Sequence, residues 1–251
     1  MNIMIFNDAE ELGKAAAQLS EKIINKAIQD NGYARIVLST GLSQITLLNN
    51  LIKTKIDWNK VIMFHLDEYI GINENHPASF RKYLKEKFVN KVTLKEVHFI
   101  DGDNNNISKN IAELSKEIKK APIDLGFIGI GENAHIAFND PPADFETKDS
   151  FIVVNLDDMC KQQQVNEGWF KNIEDVPKQA ITMSVHQILK CKTIISCVPY
   201  KVKAEAIKNV IENDVTPSIP ATILKKHDDF YLFLDKDSAS LLKSKQIEQY
   251  I

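Results

Sequence analysis

The chain alternates short apolar runs with longer segments that repeat apolar residues at helical spacing. Ile36–Leu38, Val61–Phe64, Leu125–Ile130, Ile152–Val154, Thr193–Val198 and Phe230–Leu234 are rich in β-branched and aromatic residues, and several are apolar on both faces. That pattern predicts strands covered on both sides. Between them, Ala9–Gln29 aligns Leu12, Ala15, Ala16, Leu19, Ile23 and Ile24 on one stripe, and Leu47, Leu48, Leu51 and Ile52 make another. Pro77–Phe88, Ile107–Ile118, Lys201–Glu212 and Ser238–Gln249 also read as helices. Strands alternating with helices predict an α/β fold, with a mostly parallel sheet and helices on both of its faces. Residues 101–106 (DGDNNN) read as a turn. Residues 141–177 fit the alternation poorly: they are polar and hold few strand signals. They predict either a cap over a site or an ordinary connecting helix.

Composition narrows the function. The 251 residues are 44% hydrophobic, enough for a substantial core. The net charge of -3 comes from 31 basic and 34 acidic residues, so charge gives no case for nucleic acid or an anionic membrane as partner. No apolar run nears the roughly 20 residues of a membrane helix, and the first residues do not read as a secretory signal. Cys160, Cys191 and Cys197 lack CxxC spacing, which predicts reduced thiols in a cytoplasmic protein and no metal site built on them.

In parallel sheets, ligands bind beyond the carboxyl ends of strands. Three strand ends carry polar chemistry here. LSTGLSQ (Leu38–Gln44) joins a strand to a helix, and small hydroxyl residues around Gly41 leave backbone N–H groups free for an anion; the same residues also serve as an ordinary N-cap. FHLDEY (Phe64–Tyr69) ends a strand with two adjacent carboxylates, one of which can act as a general base, or both of which can be solvated in a loop. GIGENAHIAFNDP (Gly129–Pro141) gathers Glu132, Asn133, His135, Asn139 and Asp140 behind a glycine turn; His135 can move protons near neutral pH, with Asn133 and Asp140 to orient it. A fourth strand end supplies Lys203, a cation in a first helical turn, where the helix dipole opposes it unless an anion is bound. Lys201 competes for that role.

STGLS, FHLDEYIGI followed by NHPASF, GIGENAHIAFNDP, DVPKQAITM and the lysine-bearing start of the Lys201 segment together resemble the glucosamine-6-phosphate deaminase (isomerase) family, over most of Arg35–Leu234. The resemblance implies a three-layer sugar-phosphate isomerase/deaminase-like domain over 1–251, related to ribose-5-phosphate isomerases and 6-phosphogluconolactonases, with a cap within 141–177. It implies an amino-sugar 6-phosphate as substrate, its phosphate on Thr40, Gly41, Leu42 and Ser43 opposite Lys203. His135, with Asn133 and Asp140, would open the pyranose ring, and Asp67 would move a proton from carbon 2 to carbon 1. No metal and no cofactor are implied, and a homo-oligomer is compatible with the pattern. The chain departs from the family's usual residues at Asn133 (Asp), Ala134 (Gly), Asp140 (Glu), Leu42 (Gly) and Gln44 (Pro), and Gly168 falls near a usual phosphate-binding arginine. These departures keep two alternatives in view: another reaction on the fold, such as 6-phosphogluconolactone hydrolysis or a different sugar-phosphate isomerisation, or a catalytically weak sugar-phosphate sensor.

Overall fold

The structure is a computed structural model that describes residues 1–243. Its strands are β1 (Asn2–Phe6), β2 (Ala34–Leu38), β3 (Val61–His65), β4 (Asp67–Tyr69), β5 (Glu96–His98), β6 (Leu125–Phe127), β7 (Phe151–Asn155), β8 (Gln179–Met183), β9 (Thr193–Val198) and β10 (Phe230–Asp235). Its helices are α1 (Ala9–Asn31), α2 (Ile45–Leu51), α3 (Phe80–Lys87), α4 (Ile107–Ile118), α5 (Asp158–Asn166), α6 (Val185–Ile188) and α7 (Ala204–Glu212). Seven strands form one sheet in the order β1-β10-β9-β6-β2-β3-β5, and every pairing in it is parallel.

Side chains alternate across this sheet and so define two cores. Ile36 and Leu38 of β2 pack with Leu12, Ala16 and Ile24 of α1, Leu47 and Leu48 of α2, and Leu84 of α3. Val37, between them, packs on the opposite face with Leu114 and Ile118 of α4, Val185 of α6 and Ile207 of α7. Helices therefore cover both faces, giving the three layers that the pattern and the resemblance predict.

The departures are local. Edge strands β1 and β5 fall outside the predicted runs: β5 (EVH) is too short to give a period, whereas β1 (NIMIF) does hold an apolar run, Ile3–Phe6. Of the apolar run Leu125–Ile130 only Leu125–Phe127 is strand, with Ile128 N–H adding one further bond to the Ile195 carbonyl at 3.0 Å. Ile152–Val154 belongs to a second, antiparallel sheet, β4-β8-β7, whose strand β7 is exposed on one face at Val153. The Pro77–Phe88 segment starts its helix at Phe80, because Ser79 caps it by accepting from Lys82 N–H at 3.4 Å. The expected Ser238–Gln249 helix falls mostly outside the described residues, and 236–241 are turns. Residues 141–177 are more structured than a cap alone: they contribute β7 before α5 begins.

Candidate active site

The order of the sheet decides where a ligand can sit. From β2 the chain builds outward through β3 and β5, then returns to the other side of β2 with β6, β9 and β10. The loops after β2 and β6 thus diverge, and a cleft opens between them at the topological switch. The four strand ends singled out by sequence follow β9, β6, β2 and β3, which are consecutive neighbours in the sheet. Lys203, His135, Thr40–Ser43 and Asp67 all line one pocket there.

At one end of the pocket the β2 loop turns into a 3-10 turn, Leu42–Gln44. Gly41 makes the turn at φ 106°, a conformation that a side chain disfavours even though a Cβ would meet open space. Gln44 N–H closes back on the Gly41 carbonyl at 3.1 Å, while the amides of Gly41, Leu42 and Ser43 have no acceptor among the described residues. Buried Gln44 steadies the loop by donating to Ser43 Oγ (2.9 Å) and to the Cys197 carbonyl of β9 (3.2 Å). Tyr83 donates to the Gly41 carbonyl at 2.8 Å. Ser39 Oγ is buried without a hydrogen bond. Lys203, which lines the same pocket, is only 7% exposed and forms no ion pair within 4 Å among the described residues. Burial pulls its pKa down, while Glu167 and Glu132 push it back up. A buried ammonium without a counter-ion among the described residues, in one pocket with free backbone amides, suits an anion. Lys201, the other sequence candidate, is exposed and does not line the pocket.

At the β3 end, strand geometry divides the two carboxylates. Adjacent residues of β4 point to opposite faces. Glu68 turns away from the pocket and is fully buried. It accepts from Ser79 Oγ (3.0 Å), from the Phe80 and Arg81 amides (3.2 and 2.9 Å), and from Tyr69 N–H (2.9 Å). It is a carboxylate cap on α3, where the positive helix end favours it. Arg81 pairs with it at 3.4 Å and ties in Asp101 (2.8 Å) and Asp103 (2.6 Å). Asp67 turns into the pocket, 6% exposed, and its carboxylate accepts no hydrogen bond from any described residue. Burial, with a smaller contribution from the Glu68 charge, holds its pKa well above the usual carboxylate range.

Between these ends, Gly131–Asp140 carries the imidazole. His135 Nδ1 lies 2.6 Å from Asn133 Oδ1 and 3.2 Å from Asp140 Oδ1, two acceptors that assign it the proton and leave Nε2 free to accept one. Asn133 also donates to Asp140 Oδ1 at 3.4 Å. Burial pushes the Asp140 carboxyl up, but bonding and charge from His135, with Asn133 and Cys160, hold it below its ordinary pKa. Asn133 and Asp140 stand behind the imidazole and are not pocket-lining; the carboxylate partner that residue 133 lacks is supplied by Asp140. Ala134 adopts φ 63°, the left-handed turn for which glycine is the usual choice. Asn139 has a scaffolding part: it donates to the Ile136 and Met183 carbonyls at 2.8 and 2.9 Å.

Three features of the site were not singled out from sequence. The small antiparallel sheet registers the parts: Thr182 of β8 pairs with Asp67 and accepts from Phe138 N–H at 3.1 Å, joining the carboxylate and the imidazole loop to one strand. Gly131 lies under the His135 ring, with no room for a Cβ. The far wall comes from α5 and its C-terminal turn, where Gln163, Gln164, Glu167 and Trp169 line the pocket. Glu167 accepts from Gln163 Nε2 (2.7 Å) and Trp169 Nε1 (3.1 Å), while Gly168 at φ 81° only turns the chain. His135, Asp140 and Cys160 also bring nitrogen, oxygen and sulfur within 4.8 Å of one another, a donor set that could hold a soft divalent cation. Asn133 already occupies Nδ1 and burial pushes the Cys160 thiol up, so hydrogen bonding suits these groups better.

An anion cradle facing a buried lysine, an unpaired carboxylate and an oriented imidazole define an α/β protein equipped for acid–base chemistry on a small anionic substrate. A family model for glucosamine-6-phosphate isomerases/6-phosphogluconolactonase matches residues 7–232, and the chain belongs to that family. A glucosamine-6-phosphate deaminase of Thermoanaerobacter sp. (strain X514) is 36% identical, with 99% of this chain and 98% of the relative aligned. A glucosamine-6-phosphate deaminase of Oenococcus oeni is 34% identical over 98% of this chain and the whole of the relative. Among solved structures, a monomeric glucosamine-6-phosphate deaminase superimposes with a TM-score of 0.87 at 26% identity, covering 96% of this chain and 100% of that one. A 6-phosphogluconolactonase from Thermotoga maritima shares the fold, with a TM-score of 0.77 at 16% identity over 94% of this chain and 99% of that one. Among the described residues, no helix is long and apolar enough to cross a membrane.

Proposed function

We propose that this protein converts glucosamine 6-phosphate and water to fructose 6-phosphate and ammonia. The observation that carries the reading is Asp67: a buried carboxylate with no hydrogen-bond partner among the described residues, lining the pocket that His135 and Lys203 also line. The phosphate sits on the Thr40–Ser43 loop against Lys203. His135, held through Nδ1 by Asn133 and Asp140, takes up the anomeric hydroxyl proton at Nε2 and returns it to the ring oxygen, so the pyranose opens to an aldehyde. Asp67 removes the carbon 2 proton, leaving an enolamine, and a proton is returned to carbon 1. The resulting carbon 2 iminium adds water and releases ammonia. An electron-poor carbonyl equivalent acidifies carbon 2, so placement and desolvation of the base supply much of the catalysis.

The turn around Glu167 and Trp169 acts as the cap, a narrower element than residues 141–177. The three cysteines are free and buried, which supports a reducing, cytoplasmic setting. A homo-oligomer is compatible with the reading, although one similar enzyme is described as monomeric; sedimentation velocity distinguishes the two. The deciding experiment is a coupled assay for ammonia and fructose 6-phosphate, with galactosamine 6-phosphate and 6-phosphogluconolactone in parallel. Asp67-dependent ammonia release supports deamination. Lactone hydrolysis without ammonia, or binding without turnover, replaces it with one of the other two readings.

Lys203→Ala is expected to raise KM at least tenfold, about 1.4 kcal/mol of lost binding, with kcat nearly unchanged, because phosphate is held equally in ground and transition states. A fall in kcat at constant KM assigns Lys203 to the chemistry instead. Glu167→Gln should do the reverse. It removes a negative charge that acts on Lys203 while an amide can still fill the place, so KM should fall about threefold at low salt and the gain should shrink as salt rises. A higher KM would mean that Glu167 contacts the sugar productively.

A further inference from the structure

The relay contains one buried polar atom placed within hydrogen-bonding geometry of no described residue. Asp140 Oδ1 faces Asn133 and His135, but Oδ2 is sealed from solvent without a hydrogen bond, on a side chain only 8% exposed. An ionised carboxylate is seldom left half satisfied in such a place. The thiol of Cys160, 1% exposed, lies within 4.8 Å of a carboxylate oxygen of Asp140 and of a ring nitrogen of His135. Cys160 stands in the first turn of α5, where Asp157 fixes its amide at 2.6 Å. Its burial, with Asp140 adding to it, keeps the thiol protonated, so it has a hydrogen to give and Asp140 has a lone pair to receive it. Tyr69, Phe138 and Phe170 pack in the same small core as Cys160, so α5 is seated on the pocket floor.

We propose that Cys160 is a positioning residue of the proton relay: its S–H donates to the Asp140 carboxylate, fixing the group that orients His135 and coupling the wall formed by α5 to ring opening. The inference rests on the deaminase reading for its kinetic consequence, but the bond itself can be tested without turnover.

Cys160→Ala removes the donor and Cys160→Ser keeps one. A hydrogen bond to the ionised form lowers a carboxyl pKa, so its loss raises that of Asp140. The Asp140 titration, read from its carboxyl infrared band, should therefore move to higher pH in Cys160→Ala, with kcat down about threefold to tenfold and KM unchanged. Cys160→Ser should restore both. A purely packing role predicts a lower Tm with an unmoved Asp140 titration, and that result overturns the proposal. Infrared difference spectra of the wild-type protein against Cys160→Ser isolate the S–H stretch even if the alanine variant does not fold. Asp140→Asn should shift that band, and an unmoved band also overturns the proposal. Absence of ammonia release from wild-type protein with an Asp140-sensitive band would remove the deaminase reading and leave the hydrogen bond standing.

Discussion

Asp67→Asn is expected to abolish ammonia release, with kcat down about a thousandfold or more, while substrate still binds and the folded protein becomes more stable. The two effects have one cause. Asp67 is buried without a compensating hydrogen bond, and burial, with the charge of Glu68, raises its pKa. A base whose conjugate acid titrates nearer working pH accepts a carbon-bound proton more readily than an ordinary carboxylate does. The same desolvation costs stability once the group ionises. Because its folded pKa lies above the unfolded value, Asp67 disfavours the fold progressively as pH rises through that raised value, and carries no penalty below the unfolded pKa. Asparagine never ionises. The variant should therefore melt about 2–4 °C higher at neutral pH, roughly 1 kcal/mol at this chain length, with the advantage vanishing in acid. Wild-type activity should fall as pH drops through the Asp67 titration. Solvent deuterium exchange at carbon 2 separates base chemistry from the other steps: exchange at the wild-type rate in Asp67→Asn would remove this residue from the role.

The sequence is most legible where each residue is tied to its own strand end. Asp67 follows β3, His135 follows β6, Lys203 follows β9 and the Gly41 turn follows β2; the rule that ligands meet parallel strands at their carboxyl ends brings them together before any coordinates are known. What depends on side-chain direction is less legible. Asp67 and Glu68 look equivalent as letters, and only the pleat of β4 sends one to the pocket and the other to cap α3. Cys160 meets Asp140 through the seating of α5, a contact no local spacing encodes. Short β4 and β8 escape notice because three to five residues give little periodicity, yet their pairing sets Asp67 opposite Thr182. The change at position 133 reads in sequence as a lost carboxylate; in space Asp140 supplies that charge to His135.

Gly131→Ala should disable ring opening without replacing an ionisable group. A Cβ at residue 131 would stand 2.2 Å from His135 Cε1 and 2.4 Å from both ring nitrogens, far inside any tolerable contact. The obstacle is a side chain, which can swing aside, rather than backbone, which cannot. The chain should therefore fold, with the imidazole driven off Asn133 and Asp140. Loss of an oriented acid–base group costs about a hundredfold or more in kcat. His135→Ala should cost a similar factor for the same reason. The double variant separates this account from a general distortion: once the imidazole is gone, alanine at 131 has nothing to displace, so Gly131→Ala should add almost no further loss in the His135→Ala background. Effects that multiply would place the damage elsewhere in the loop. Proton exchange at carbon 1 of fructose 6-phosphate in ammonium-containing deuterium oxide adds a second axis. That exchange can start from the open-chain ketose present in solution and relies on Asp67, so Gly131→Ala should slow it far less than it slows release of ammonia from the closed pyranose.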